Sequence, residues 1–263
     1  MAKHGGAETW LWIALGGAVL AGLAFWKKEA IVSFGTDALD AGKQLYFKAT
    51  LSDDASPYSD LILQVAKEQG VDPFILYALG ERESRWGEAL SPAGPTGTGD
   101  SGHGRGIMQI DDRSFGPDAN GVGKGNGWLG QNDWTDPYTN LTQGAIILNQ
   151  ALKFFSSNAP IKGYTDGTNV SITSSASKLG VSPGTYPDPR PLSGDALSAA
   201  AIAAYNTGAA NTLMAIAAGK SPDTTTTGGN YSGDVLAKAS AAAAQFQVAS
   251  AAGAPDTSAD TTV

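Results

Sequence analysis

DPFILYALGERES, residues 72–84, is the stretch on which the fold turns. Asp72 is a helix-capping residue type, and Pro73 sits where a first helical residue needs no N–H. From Phe74 to Gly80 the run is almost entirely apolar, so the helix it predicts has no solvent face and belongs in a core. Charge enters only in the last turn, at Glu81, Arg82 and Glu83, with Arg85 following. Glu83 is the informative one. Desolvation and the negative end of the helix dipole both push its carboxyl toward the protonated form. General-acid chemistry near neutral pH needs such a carboxyl. The alternative is a Glu paired with Arg82 or Arg85 at a helix end.

Working outward toward the N-terminus, Tyr58, Leu61, Ile62, Val65 and Ala66 share one helical face, and Gly70 ends that helix. SDDASP (52–57) reads as a linker or helix start. Residues 29–50 carry Ile31, Phe34, Ala38, Ala41 and Leu45 at helical spacing, which predicts an amphipathic helix beside a membrane. The membrane is implied by WLWIALGGAVLAGLAFW, residues 10–26, which holds no charge. At about 1.5 Å per residue it spans roughly 26 Å, the short end of a transmembrane helix. Trp10, Trp12 and Trp26 sit at its ends, where indoles favour the headgroup layer. A cleavable signal peptide is the competing reading, but the start is weakly basic and no clear cleavage site precedes Trp26. Ala14, Ala18 and Gly22 form a small-residue stripe that hints at helix self-association. Lys27, Lys28 and Lys43 follow the run and only Lys3 precedes it. The positive-inside rule therefore keeps the C-terminal part on the inner side of whatever the membrane encloses.

Toward the C-terminus, residues 91–140 are rich in Gly, Pro, Asp and Asn and predict irregular loops. Helices resume at 142–155, 195–205, 209–218 and 233–250. A short hairpin is expected around Val170–Thr173, and residues 251–263 read as a disordered tail. The expectation is a mainly α protein with little β: a tail and anchor over 1–28, a helix and linker over 29–55, and one domain over 56–250.

Composition narrows the chemistry. The 263 residues include 17 Lys+Arg against 25 Asp+Glu, a net charge of −8, which argues against nucleic acid as a partner. There is no Cys, so no disulfide, thiolate metal site or Cys nucleophile. His4 and His103 are too few for a multi-His zinc site, and a Ser-His-Asp triad would need His103 as its base. Carboxylates and Tyr remain, and no metal or cofactor is implied. GDSGHGRGIMQID (99–111) packs Gly at short spacing between Asp100 and Asp111. It lacks the Lys-Ser/Thr of a Walker loop, so phosphate binding is disfavoured. AAYNTG (203–208) places Tyr205 and Asn206 at a helix end, where a structural Tyr and an Asn cap are the plain alternative.

Taken together, R-E-S-x-x-G at 82–87, the Gly motif at 99–111 and A-Y-N-T-G at 204–208 resemble goose-type lysozymes, which share a fold with soluble lytic transglycosylases. Arg113-Ser114, LTQGAIIL (141–148) and YSGDVLAKA (231–239) continue the likeness in order, over about residues 56–248. The resemblance implies a lysozyme-like α+β domain with little β, acting on peptidoglycan glycan strands. It implies Glu83 as general acid and Asp100 and Asp111 as carboxylates that position water. It implies Gln109, Tyr205, Asn206 and Tyr231 as residues of the sugar cleft. Asp112 departs from the pattern, at a position often basic, and 116–140 and 156–193 look longer than in compact relatives. The retained Asp pair favours inverting hydrolysis; a lytic transglycosylase giving 1,6-anhydro products, or an inactive wall-binding structural protein, are the alternatives. Two settings fit: a bacterial inner-membrane enzyme facing the periplasm, or a phage virion protein, bound to a bilayer through residues 10–26 and to other virion proteins.

Overall fold

The computed structural model describes residues 41–117 and 125–253. Helix α1 (Ala41–Ala49) leads through a 3-10 turn into α2 (Ser59–Gln69) and α3 (Pro73–Ser84). Gly70 closes α2 with φ of 64°, a left-handed turn that costs glycine nothing. Asp72 then caps α3 as the sequence predicts, its Oδ1 accepting from the N–H groups of Phe74 (2.8 Å) and Ile75 (3.1 Å). Every residue from Pro73 to Gly80 is buried.

Around α3 the other helices assemble. The long α6 (Pro137–Phe155) packs against α2 and α8 (Gly194–Thr207), while α10 (Tyr231–Gly253) lies along α3 and also touches α1 and α8. The small residues of α8 bring its axis close to its neighbours: Ala200, Ala201, Ile202 and Ala203 are fully buried. Between α3 and α6 the chain forms three two-residue antiparallel strands, β1 (Thr98–Gly99), β2 (Gly104–Arg105) and β3 (Ile110–Asp111), in the order β1-β2-β3. One-turn helices α4 (Asp112–Phe115) and α5 (Trp128–Gln131) follow. Where a short hairpin is expected around Val170–Thr173, the structure has one strand of a wider pair: β4 (Asn169–Ile172) pairs antiparallel with β5 (Gly184–Pro187), Val170 opposite Tyr186, with the one-turn α7 (Ala176–Leu179) between them. Helix α9 (Ala209–Ala217) completes the mainly helical fold.

Three expectations change. The predicted stretch 29–55 does not stand apart from the domain where it is described. Phe47 is fully buried with its ring 5.3 Å from Phe74, Ala55 is fully buried, and Ser52 Oγ donates to Glu81 Oε2 at 3.0 Å. Leu45, expected on the apolar face, is 67% exposed, and Phe47 two positions on is the residue that enters the core. The domain therefore starts before residue 56. Helix α10 likewise runs three residues into the predicted tail, and the remainder of that tail lies outside the described residues. The predicted membrane span 10–26 lies outside them as well. Among the described residues no helix is long and apolar enough to cross a membrane.

Candidate active site

The last turn of α3, the ribbon β1–β3 and the facing ends of α8 and α10 border a cleft of about 920 Å³. That is the upper part of the range for small-ligand sites. Glu83, Tyr205, Asn206 and Tyr231 line it from the helices, and Asp100, Gln109 and Asp111 from the ribbon. Residues separated by up to 148 positions are thus brought to one concavity.

Glu83 is the penultimate residue of α3 and half-buried. Its Oε1 accepts a hydrogen bond from the Tyr231 hydroxyl. Burial pushes its carboxyl up to about 7, against the opposing pull of the Tyr231 hydroxyl and the Arg82 guanidinium. The carboxyl is therefore half-protonated near neutral pH and able to give up a proton there. Tyr231 and Tyr205 both titrate well above the usual phenol range, first because they are buried and then because Glu83 is near, so both remain protonated donors. Tyr205 gives its hydrogen to Met108 O (2.9 Å), which ties the end of α8 to the ribbon. Asn206 Oδ1 accepts from Thr227 N (2.8 Å), leaving its Nδ2 group for a ligand.

Several further residues hold this arrangement, and of them sequence reasoning singled out Asp112 alone. Ser84 donates to Ile107 O (2.7 Å) and accepts from Gly87 N (2.9 Å), so the residue after the acid locks α3 to the Gly-rich segment. Asn140, buried at the start of α6, bridges Arg105 O (3.0 Å) and Met108 N (2.8 Å). Asp112, the departure from the family pattern, is fully buried; it accepts from Arg105 Nη2 at 3.0 Å and lies 2.8 Å from His103 Nδ1. An acid here neutralises a buried arginine of the ribbon. Asp223 accepts from Ser232 N, Ser232 Oγ and Gly233 N at 2.8 to 3.2 Å, so it caps the helix that carries Tyr231. Each is a single polar residue whose partner is set by the fold, and sequence alone does not name that partner.

Gln109 has a seat built for it. Its backbone is left-handed, φ 48°, and its Nε2 donates to Gly106 O (2.8 Å). A Cβ added at Gly99 or at Gly104, which face each other across β1 and β2, would stand 2.2 Å from Gln109 Oε1. Only a bare backbone leaves room for that carboxamide.

Asp100 and Asp111 are brought together by a residue between them in space. Arg113 Nε contacts both oxygens of Asp111 (2.9 and 3.1 Å), and its Nη2 donates to Asp100 Oδ2. Asp111 also caps α4 by accepting from Arg113 N (2.9 Å). Among the described residues, no group of three His, Cys, Asp or Glu side chains is placed to hold a metal ion.

Part of the chain is similar in sequence to known proteins. Residues 60–182 match the transglycosylase SLT domain. Lysozyme g of Casuarius casuarius is 38% identical over 96 residues, which is 36% of this chain and 42% of that protein. Lysozyme G of Dromaius novaehollandiae is 38% identical over 96 residues, 36% of this chain and 38% of its own length. Lysozyme g of Struthio camelus is 35% identical over 103 residues, 39% of this chain and 42% of its own. The chain spans about two fifths of the length of these curated relatives. Residues 60–182 are thus similar to the transglycosylase SLT domain, and about 100 residues of the chain are similar to these lysozymes.

Proposed function

We propose that this domain degrades peptidoglycan by cleaving the β-1,4 bond between N-acetylmuramic acid and N-acetylglucosamine, with Glu83 as general acid. The observation that carries the proposal is a carboxyl poised near pH 7, held by Tyr231, in the lining of a cleft of about 920 Å³. The proton of Glu83 passes to the bridging oxygen as the C1–O bond breaks. Asp100 and Asp111 in the same cleft are the groups that would position and deprotonate a water in an inverting hydrolysis. Gln109, Tyr205 and Asn206 hold the sugars.

A second reading has one specific observation in its favour. Arg113 already occupies both aspartates, which suits a lytic transglycosylase, where the muramic acid 6-hydroxyl attacks and no water is activated. An inactive wall binder is disfavoured because the acid is present and poised.

The test is digestion of purified peptidoglycan by the wild type and Glu83→Gln. The variant should lose at least about a hundredfold in rate, the usual scale of general acid catalysis. Equal turnover would reject Glu83 as the acid, and co-sedimentation with sacculi without any product would favour the wall binder. We further propose that residues 10–26 anchor the protein in a bilayer and that it is carried in a phage virion. Its presence in purified particles rather than in uninfected cell membranes is the discriminating result.

A further inference from the structure

We infer that Arg113 sets the product of this cleavage, by deciding whether a water or the substrate's own 6-hydroxyl takes the anomeric carbon; the inference rests on the muramidase reading above. The geometry is a three-residue clamp within the cleft lining. Asp111 Oδ1 receives Arg113 N and Nε, both at 2.9 Å, and Oδ2 receives Nε at 3.1 Å. Asp100 Oδ2 receives Nη2 of the same guanidinium. One arginine therefore engages every acid that could act as the base of a water route. Charge-assisted contacts of this kind hold a carboxylate's lone pairs on the guanidinium and away from a water. The clamp's own side chains are not buried. The side chains of Arg113, Asp100 and Asp111 are 56%, 60% and 35% exposed, and Arg113 sits on the one-turn helix α4. Glu83 lies outside it, bonded to Tyr231.

The two routes share their first event. The Glu83 proton moves to the bridging oxygen and the C1–O bond breaks. With the clamp closed, O6 bonds to C1 and the 6-hydroxyl proton passes to the Glu83 carboxylate. The product is 1,6-anhydro, and Glu83 is reprotonated for the next cycle. With the clamp open, water oxygen bonds to C1, its proton passes to Asp100 or Asp111, and the product is a reducing sugar. Arg113 is a positioning residue here: it acts on the carboxylates and transfers no proton itself.

The experiment uses the full chain in detergent micelles, peptidoglycan sacculi and ¹⁸O-labelled water, with released muropeptides read by mass spectrometry. The measured quantity is the ratio of ¹⁸O-labelled reducing ends to 1,6-anhydro ends. Arg113→Gln should raise that ratio about tenfold, equivalent to about 1.4 kcal/mol between the two barriers. Arg113→Lys keeps the charge but cannot span both carboxylates, so it should raise the ratio less. A merely structural loss would lower total turnover and leave the ratio alone. If Arg113→Gln does not fold by circular dichroism, Arg113→Lys decides. An unchanged ratio in the variant that folds overturns the inference, as does a wild type that releases no anhydro product. Release of neither product by wild type overturns the muramidase reading instead, and the two failures are distinct.

Discussion

Replacing Glu83 by Gln should make the protein more stable as it makes the enzyme inactive, and the gain should depend on pH. The side chain keeps its shape and can still accept from Tyr231. What disappears is the need to bury a negative charge. In the folded protein the carboxyl titrates at about 7 instead of 4.5. A carboxyl whose folded value is raised binds its proton more tightly in the native state. Its contribution to stability is complete below pH 4.5 and is lost as pH rises through about 7. Two and a half units at about 1.4 kcal/mol each come to about 3 kcal/mol of stability surrendered by the wild type at pH 8. Glu83→Gln surrenders none of it. For a domain of this size about 3 kcal/mol corresponds to a rise in Tm of roughly 6–12 °C. Thermal and urea melts of both proteins, followed by circular dichroism at pH 4.5 and pH 8, provide the assay. The curves should nearly coincide at pH 4.5 and separate at pH 8. Asp72, raised to about 6 by burial, gives both proteins the same background slope and cancels in the difference. A gap of equal size at both pH values, or a variant less stable at pH 8, would show that Glu83 is not held in a desolvated site. Glu83 would then have no raised pKa with which to act as the acid.

Other outcomes follow from the same geometry. Tyr231→Phe removes a hydrogen bond that lowers the Glu83 pKa, so the alkaline limb of the pH–rate profile should move above pH 7; a limb that stays or falls refutes the role of that bond. Asp223→Ala strips the start of α10 of three contacts and should cost about 2–4 kcal/mol in urea melts, with a loss of activity larger than the instability explains. A chain starting at residue 41 should match the full-length domain in Tm, whereas one starting at 56 removes Phe47 from the core and should lose about 3–5 kcal/mol. Gly104→Ala should displace Gln109 and raise KM for glycan fragments several-fold or more, with Gly99→Ala doing the same; unaltered binding by both would mean that Gln109 does not touch substrate.

How much of this was legible in the sequence depends on the range of each interaction. Gly70 and Asp72 act on residues within three positions, so the end of α2 and the start of α3 are written locally. Glu83 stood out because its helix has no polar face to share. Phe47 was missed because a short helix with Leu45, Tyr46 and Phe47 in sequence offers more than one apolar face, and its contact with Phe74 chooses between them. The ribbon was read as loop because two-residue strands have no period to detect. Asp100 and Asp111 were visible as acids, but their shared arginine was not. Arg113 lies 13 residues from Asp100, and only the antiparallel turns close that gap. Asp112 looked anomalous as a substitution and becomes intelligible once its buried partner Arg105 is seen.

The helix that carries Glu83 is buried from Pro73 to Gly80, and this divides the cleft into unequal partners. A carboxyl at the tip of α3 cannot retreat or advance without dragging a core helix with it, so it works as an anvil. Across from it, the edge of the ribbon formed by Asp100, Asp111 and Arg113 is held by exposed ion pairs, and segments of that kind open locally at low cost. Adjustment to a long polymer must come from that side. A glycan strand of varied decoration can be admitted by the ribbon's give while the proton donor stays where it was placed. Tolerance for substrate and precision of chemistry are thereby assigned to different parts of one chain. Selection can loosen the first without blunting the second.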